Sequence, residues 1–423
     1  RSGRCPMAFW FLSEMRYVLL LKLCVLGLIG LFLRSADPVL AAAEQKLEIP
    51  VFWLHLNIDP EWQEQRAYTG LALKQRYPAL RGITIGLQEN KIKLRAKEAI
   101  FAFSEITAMD AADGIAKVMA AVPAGAAVLL DLPEADMHRV IVGLAGQDIA
   151  LFNIRSKAMN LRETACQGNT FHILPSRRMY ADTVAQFLAL RNWRRALLLV
   201  GRHNNDIADA AALEASFQKF QVEVVDRRTF SLSNNPRDRD MNNLKLLTGG
   251  IEYDVVVIAD DVGEYSRYVP YNTFLPRPVI GGSGLVARAW HWSWERFGAP
   301  QLNQRFDRRA KKAGISDHKT RQMNDVDWAA WAAIKLIATS VPAASVGSEV
   351  NLLQALLDQE LAVDLYKGSR GSLRQWNHQL RQPMLIATHD AVIEKLPGVK
   401  FLHQHFYEDT LGIDVHQTGC QFN

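Results

Sequence analysis

Little in this sequence points to nucleic acid or to catalysis. Lys and Arg number 49 against 44 Asp and Glu, a formal charge of +5 over 423 residues, and they are dispersed along the chain. The basic tract interleaved with aromatics that a phosphate backbone calls for is missing, so no nucleic-acid partner is expected. Catalytic signatures are missing too. There is no Gly-x-Ser-x-Gly elbow, no Gly-x-x-x-x-Gly-Lys phosphate loop, no Gly-x-Gly-x-x-Gly and no His-Glu-x-x-His. The stretch Gly281-Gly282-Ser283-Gly284 follows the wrong element order and reads as a turn. His403 and His405 alternate, but without a carboxylate or cysteine at metal-ligand spacing. No enzyme, cofactor or metal is therefore expected. No internal repeat or low-complexity tract appears either. With 49% hydrophobic residues, the chain can bury cores for two or three domains.

Cysteine is scarce. Arg16 precedes an apolar run over residues 18–33, and Ala41-Ala42-Ala43 follow it, the pattern of a secretory leader cleaved near Ala43. Residues 1–43 are read as a signal peptide with an upstream extension, starting at Met7 or Met15. A membrane anchor is the weaker reading, because Lys22 interrupts the run and a span needs about 20 apolar residues. Cys24 lies inside the run, so a lipid-anchored cysteine is not indicated. Export to the periplasm leaves Cys166 and Cys420 in an oxidising compartment, where one disulfide is expected. Two free thiols are the alternative, since bridging requires Cα atoms within about 7 Å.

Beyond the leader, short apolar runs alternate with helical patterns, which predicts βα units and parallel sheets. Strands are expected over residues 50–56, 99–106, 126–130 and 149–153. Asp110 to Asp113 resembles a helix start, with Ile115, Val118, Met119 and Val122 on the following face. Residues 82–87 fit strand alternation and a helical face alike; helix is preferred, because parallel neighbours need a crossover between them. A second series follows Pro175, with helix faces at Val184, Phe187 and Leu188 and at Leu213, Phe217 and Phe220, and strands over 196–200, 222–225 and 254–259. The last third adds helices around Trp328 to Ile337 and Leu352 to Leu357, a strand at 384–388, and an irregular tail over 401–423. Two similar α/β lobes facing each other are the expected architecture.

Ligands of open parallel sheets bind beyond the carboxyl ends of the strands, so the loops there carry the candidate site. In the first lobe these are Asp59, Trp62 and Arg66, then Pro133 and Glu134, then Asn153 and Arg155. In the second they are His203, followed by Asp260, Glu264 and Tyr265, with Arg177 at a helix start between the lobes. Each also has a plainer role. Asp260, Asp261 and Glu264 suit helix capping, Arg177 and Arg178 a solvated helix start, and His203 an ordinary loop. Trp290, Trp292 and Trp294 suit packing as well as ring stacking.

Several stretches resemble the type I periplasmic binding-protein superfamily, in its branched-chain amino acid receptor group. They include Asp59-Pro60 with Arg66-Ala67-Tyr68, Leu130-Asp131-Leu132-Pro133, Leu174-Pro175-Ser176-Arg177, Trp193-Arg194-Arg195 and YVPYNTFLPRP at 268–278. Ala289-Trp290-His291, residues 376–383 and Asp409 to Gly412 extend the likeness over most of 50–414. More narrowly, these stretches resemble the substrate-binding proteins of ABC transporters associated with pyrroloquinoline-quinone (PQQ)-dependent alcohol dehydrogenase systems. The resemblance implies two Rossmann-like lobes joined by three crossovers and closing on a small solute, with an ABC permease as partner. It assigns 44–173 plus 286–342 to one lobe, and 174–285 plus 343–400 to the other. A non-transport accessory or sensor protein docking on a periplasmic dehydrogenase would share the fold, but with an occluded or apolar cleft. One departure is marked. The family's Ser/Thr-rich ligand loops are replaced by Asp131-Leu132-Pro133-Glu134 and Asn153-Ile154-Arg155-Ser156, which puts an ordinary amino acid ligand in doubt.

Overall fold

The computed structural model describes residues 46–66, 70, 73, 76–231, 236–315, 321–342, 350–358, 360–401 and 403–422. The leader expected over 1–43 lies outside the described residues.

The alternating pattern produces two parallel sheets. The first comprises β1 (Leu47–Leu56), β2 (Ala99–Ala108), β3 (Ala127–Asp131), β4 (Ala150–Asn153) and β5 (Thr170–His172), in the order β2-β1-β3-β4-β5. Between them run α1 (Leu80–Arg95), α2 (Ala111–Ala121) and α3 (Glu134–Gly143). Every residue of β3 and β4 is buried, as befits strands covered on both faces. Pro50 is tolerated in β1 because β3 joins only from Val51 onward, so the missing N–H falls where the strand has one neighbour. Residues 82–87 lie inside α1, which resolves their ambiguity as helix. The carboxylate of Asp110 accepts the Asp113 N–H at 2.9 Å and starts α2. The buried stripe of α2 runs through Ala111, Gly114 and Val118. Met119, expected with it, is 60% exposed because it lies one residue, about 100°, off that stripe.

The second lobe begins with α4 (Arg177–Leu190), β6 (Arg195–Val200), α5 (Asn204–Lys219) and β7 (Glu223–Thr229), and continues with β8 (Val255–Ala259) and β9 (Val279–Ile280). Its sheet order is β7-β6-β8-β9, again parallel. Period-two alternation divides the strands between two cores: Leu198, Val200 and Val257 face one, Leu197, Leu199 and Val256 the other.

After β10 (Val286–Arg288) the chain returns to the first lobe as α6 (Ala299–Lys312) and α7 (Asp325–Ser340). Trp328, Trp331 and Ile334 of α7 pack in the same core as Val51, Trp53 and Phe152. So do Leu352 and Leu356 of α8 (Leu352–Leu357), with Leu361, Val363 and Leu365. This corrects the assignment of all of 343–400 to the second lobe. The apolar face of this short helix is buried against α7 rather than against the second sheet. A small hairpin, β11 (Val363–Asp364) with β12 (Arg370–Gly371), precedes β13 (Met384–Ala387) and β14 (Val392–Leu396). These last two form an antiparallel sheet with β10, and β13 serves both lobes: Leu385 packs in the first core and Ile386 in the second. Among the described residues, no helix is long and apolar enough to cross a membrane.

The crossover region is tied by buried polar groups. The fully buried Arg162 donates to Gln379 Oε1 at 2.6 Å and to the carbonyls of Ala158, Ser156 and Leu174 at 2.6, 3.1 and 3.0 Å. Gln379 in turn donates to the His172 carbonyl at 2.9 Å. The tail is irregular apart from two 3-10 turns, yet it is anchored. Asp409 accepts from Arg374 Nε at 2.8 Å and Arg381 Nε at 2.9 Å, and Cys420 is joined to Cys166 with Cα atoms 5.5 Å apart.

Two stability predictions follow from this packing. At Gly82 an added Cβ would meet the Asp327 carbonyl oxygen of α7 at 2.1 Å. Gly82→Ala should therefore destabilise by about 1–3 kcal/mol in a denaturant titration, the clash outweighing the ~1 kcal/mol alanine gains in helix propensity. The Cys166–Cys420 bond closes a separation of 254 residues. Cys420→Ser, or dithiothreitol, should lower unfolding stability by about 2–5 kcal/mol, and an unchanged melting temperature under reduction would refute this.

Candidate functional site

The carboxyl ends of both sheets open on one cleft, and buried charge organises its first-lobe wall. After β1, Asp59 turns the chain by accepting the Glu61 N–H at 2.9 Å. After β4, Asn153 Oδ1 accepts the N–H groups of Arg155 at 3.2 Å and Ser156 at 2.8 Å, an Asx turn that aims Arg155 back across the sheet. The Arg155 guanidinium then contacts Asp59 at 2.6 and 3.2 Å, Glu61 at 2.7 Å and Asp131 at 3.4 Å. Asp131, at the end of β3, also accepts the Ala79 N–H at 2.8 Å and so sets the start of α1. Burial pushes the Asp131 carboxyl up, against the pull of Arg155.

The second-lobe wall is built around Asp206. This buried carboxylate accepts the N–H groups of His203 at 3.1 Å and Asp261 at 2.7 Å, joining the loops after β6 and β8. Gly201 makes room for it, since a Cβ there would meet the Asp206 carboxylate at 2.2 Å. Two arginines span the lobes. Arg76 donates to Glu61 at 2.6 Å and to both Asp261 oxygens at 2.9 Å. Arg177 pairs with Glu134 of the first lobe at 3.3 Å and with Asp209 of α5 at 2.6 Å. Asn205 completes the arrangement by donating to Asp261 at 2.9 Å.

Two adjoining cavities occupy the cleft, of about 150 and 160 Å³, sharing Lys157, Arg177, Tyr180, Asp209, Asp261 and Arg288 in their walls. Each has room for on the order of ten water-sized groups. The first is bounded by both lobes' polar loops and by Asp325, which accepts the Tyr180 hydroxyl at 2.9 Å and the Trp290 N–H at 2.9 Å. The second runs under β8 and β9, with an apolar wall that includes Val184, Leu213, Val257 and Ile280.

Of the residues expected from sequence, Pro133, Glu134, Arg155, Arg177 and Asp260 line this cleft. Others stand behind it. Asp59 is buried beneath Arg155, Trp62 lies under that guanidinium with its ring 5.7 Å away, and Asn153 shapes the loop without facing the cavity. His203 is at the rim, in a separate depression with Arg76 and Asp261. Arg66 is a correction: it points to solvent and pairs with Glu64 at 2.7 Å. Glu264 and Tyr265 are also corrections. They sit in the 3-10 turn after β8, where Tyr265 stacks on Phe230 at 4.1 Å and is buried away from the cleft. Asp260 accepts the Gly263 and Ser266 N–H groups at 3.0 and 2.8 Å, which is the capping role.

Sequence reasoning missed Glu61, Arg76, Lys157, Tyr180 and Asp209. Two of these had a signal: Tyr180 lies three residues after Arg177 on α4, and Lys157 two residues after Arg155 in its loop. Arg76 and Asp209 had none, because Arg76 acts only across the lobes and Asp209 meets Arg177, 32 residues away in sequence, only once their two helices pack. Among the described residues, no three His, Cys, Asp or Glu side chains are grouped to hold a metal. His403 pairs with Asp414 at 3.2 Å.

No protein-family model matches the chain, and no curated protein sequence matches it. Solved structures do. An ABC transporter substrate-binding protein from Sphaerobacter thermophilus superposes with a TM-score of 0.62 at 13% identity, over 83% of this chain and 98% of that one. The leucine-, isoleucine-, valine-, threonine- and alanine-binding protein from Brucella ovis, in a closed conformation, gives 0.62 at 13% identity, over 87% and 97%. A solute-binding protein of an R. palustris ABC transporter in complex with benzoate gives 0.58 at 12% identity, over 82% and 95%. The chain has the type I periplasmic-binding-protein fold, and its structural neighbours are ABC transporter substrate-binding proteins.

Glu61 supplies a pH test of this cleft. Burial opposes its ionisation, but Arg155 and Arg76 together hold its carboxyl below the usual carboxylate range. A depressed folded pKa contributes stability above the unfolded value and loses it as pH falls through the folded one. The stability difference between wild type and Glu61→Gln should thus be full above pH about 5 and shrink below pH about 4. A difference independent of pH over that range, in urea titrations, would count against the ion-pair geometry.

Proposed function

We propose that the chain is the solute-binding component of an ABC transporter, exported to the periplasm, and that its two lobes close on a small solute and present the closed face to a permease. The observation that carries this reading is the placement of one polar cavity where the strand ends of both sheets and the crossovers meet. The fold shared with substrate-binding proteins supports it. Closure in such a receptor is stabilised by the difference in ligand affinity between open and closed states. The accessory or sensor reading would favour an occluded or apolar cleft. The open cavity with convergent charged groups from both lobes counts against it.

A connection with PQQ-dependent alcohol oxidation, through the solute carried or through the dehydrogenase system itself, rests on sequence stretches such as 268–278 and 376–383.

Native mass spectrometry of protein purified without denaturation, with a thermal-shift panel of alcohols, aldehydes, acids, quinones and amino acids, tests the reading. A true ligand at 100-fold over its Kd should stabilise the fold by about 2.7 kcal/mol and reduce the radius of gyration in small-angle scattering. No co-purified mass and no shift across the panel would favour the docking reading instead.

A further inference from the structure

We infer that the ligand is an apolar monocarboxylate lacking an ammonium group, its carboxylate held between Lys157 and Arg288 and its body lying along the apolar wall under β8 and β9. This rests on the receptor reading and names the solute class.

The argument is a charge inventory of the two cavities. Six carboxylates line them, and each is already engaged. Glu61 is held by Arg155 and Arg76, Glu134 and Asp209 by Arg177, and Asp261 by Arg76 and Asn205. Asp260 accepts two backbone N–H groups, and Asp325 accepts the Tyr180 hydroxyl and the Trp290 N–H. An ammonium entering the cleft would find four of these carboxylates already paired to arginines, and the other two, Asp260 and Asp325, each already accepting two hydrogen bonds from neutral donors.

The cations are not balanced in the same way. Arg76, Arg155 and Arg177 are consumed by the pairs above, but Lys157 and Arg288 have no carboxylate partner among the described residues. Both line both cavities, so they stand at the junction of the polar and apolar portions. Lys157 Nζ lies 4.5 Å over the Tyr180 ring, a contact with the ring face that leaves its N–H donors available. Two half-buried cations with open donors at one junction are suited to a carboxylate, whose charge-assisted hydrogen bonds are about twice as strong as neutral ones. Beyond them the wall of Ala181, Val184, Leu213, Val257, Ile280 and Ala287 offers no donor or acceptor side chain, so the part of the ligand that lies against it is apolar.

The test is calorimetric titration of the full chain with hexanoate and phenylacetate, against hexanol, 2-phenylethanol, hexylamine and leucine. The acids should bind, and the matched alcohols and the amine should bind at least about tenfold more weakly. Lys157→Met and Arg288→Gln should each weaken acid binding by about tenfold or more while leaving the unliganded melting temperature close to wild type. Should one variant fold poorly, the other carries the test, and the acid-against-alcohol comparison on wild type stands without either. Alcohols that bind as tightly as their acids, leucine binding more tightly than both acids, or variants that bind acids like wild type would each overturn this inference while leaving a solute receptor in place. Binding of none of these compounds, with no co-purified small molecule, would overturn both readings.

Discussion

The cleft depends on a single buried guanidinium. Asp59 and Asp131 have fully buried side chains at the ends of neighbouring strands, and removing a carboxylate from water costs several kcal/mol unless it is paired. Arg155 answers both and reaches Glu61 as well, so one cation fixes the loops after β1, β3 and β4 relative to one another. The remaining order propagates from it. Glu61, once placed, holds Arg76, and Arg76 reaches Asp261 on the other lobe. The pair at the mouth of the cleft is thus positioned by an ion cluster in the floor of the first lobe.

The crossover region uses a different solution. Arg162 is fully buried, with no carboxylate in contact among the described residues. Its donors are met by carbonyls and by Gln379, and burial lowers its pKa to about 9. Carbonyl partners suit a place where three chain segments run side by side, because they bind the backbone itself and fix the segments' relative height. Arg374 and Arg381 sharing Asp409 add the tail to the same bundle.

Much of this was legible in advance, and the reason is period. Buried parallel strands such as β3 and β6 read as unbroken apolar runs, and α7 as a stripe of Trp328, Trp331 and Ile334, since local packing dictates local sequence. The loops at the strand ends were legible for the same reason. The partition of the last third was not: Leu352 and Leu356 carry a helical stripe that fits any apolar surface, and the choice of the first lobe is made by tertiary packing. Within the site, most residues beside a strand end were found; of the two arginines that act across the gap, Arg177 was found at its helix start and Arg76 was not. Arg76 precedes α1 by four residues and has no local reason to be there; its partner Asp261 is 185 residues away. Glu264 and Tyr265 show the converse error, since residues after a strand also build the turn that leads away from the cleft.

The bridging pairs do not settle whether the lobes stay together. Arg76 and Asp261 have side chains 40% and 22% exposed, and pairs so open to water are worth about 0–1 kcal/mol each. Arg177 is better buried, but Glu134 and Asp209 are 43% and 30% exposed. Together the two bridging pairs, at about 2 kcal/mol at most, bias the lobes toward one another by about thirtyfold, whereas moving a two-state population from 1:99 to 99:1 takes roughly 5.5 kcal/mol. On the receptor reading proposed above, the difference comes from whatever enters the cavity. On that reading Lys157 and Arg288, which have no carboxylate partner among the described residues, are where that energy is most readily gained, because four of the six cavity carboxylates are already paired to arginines.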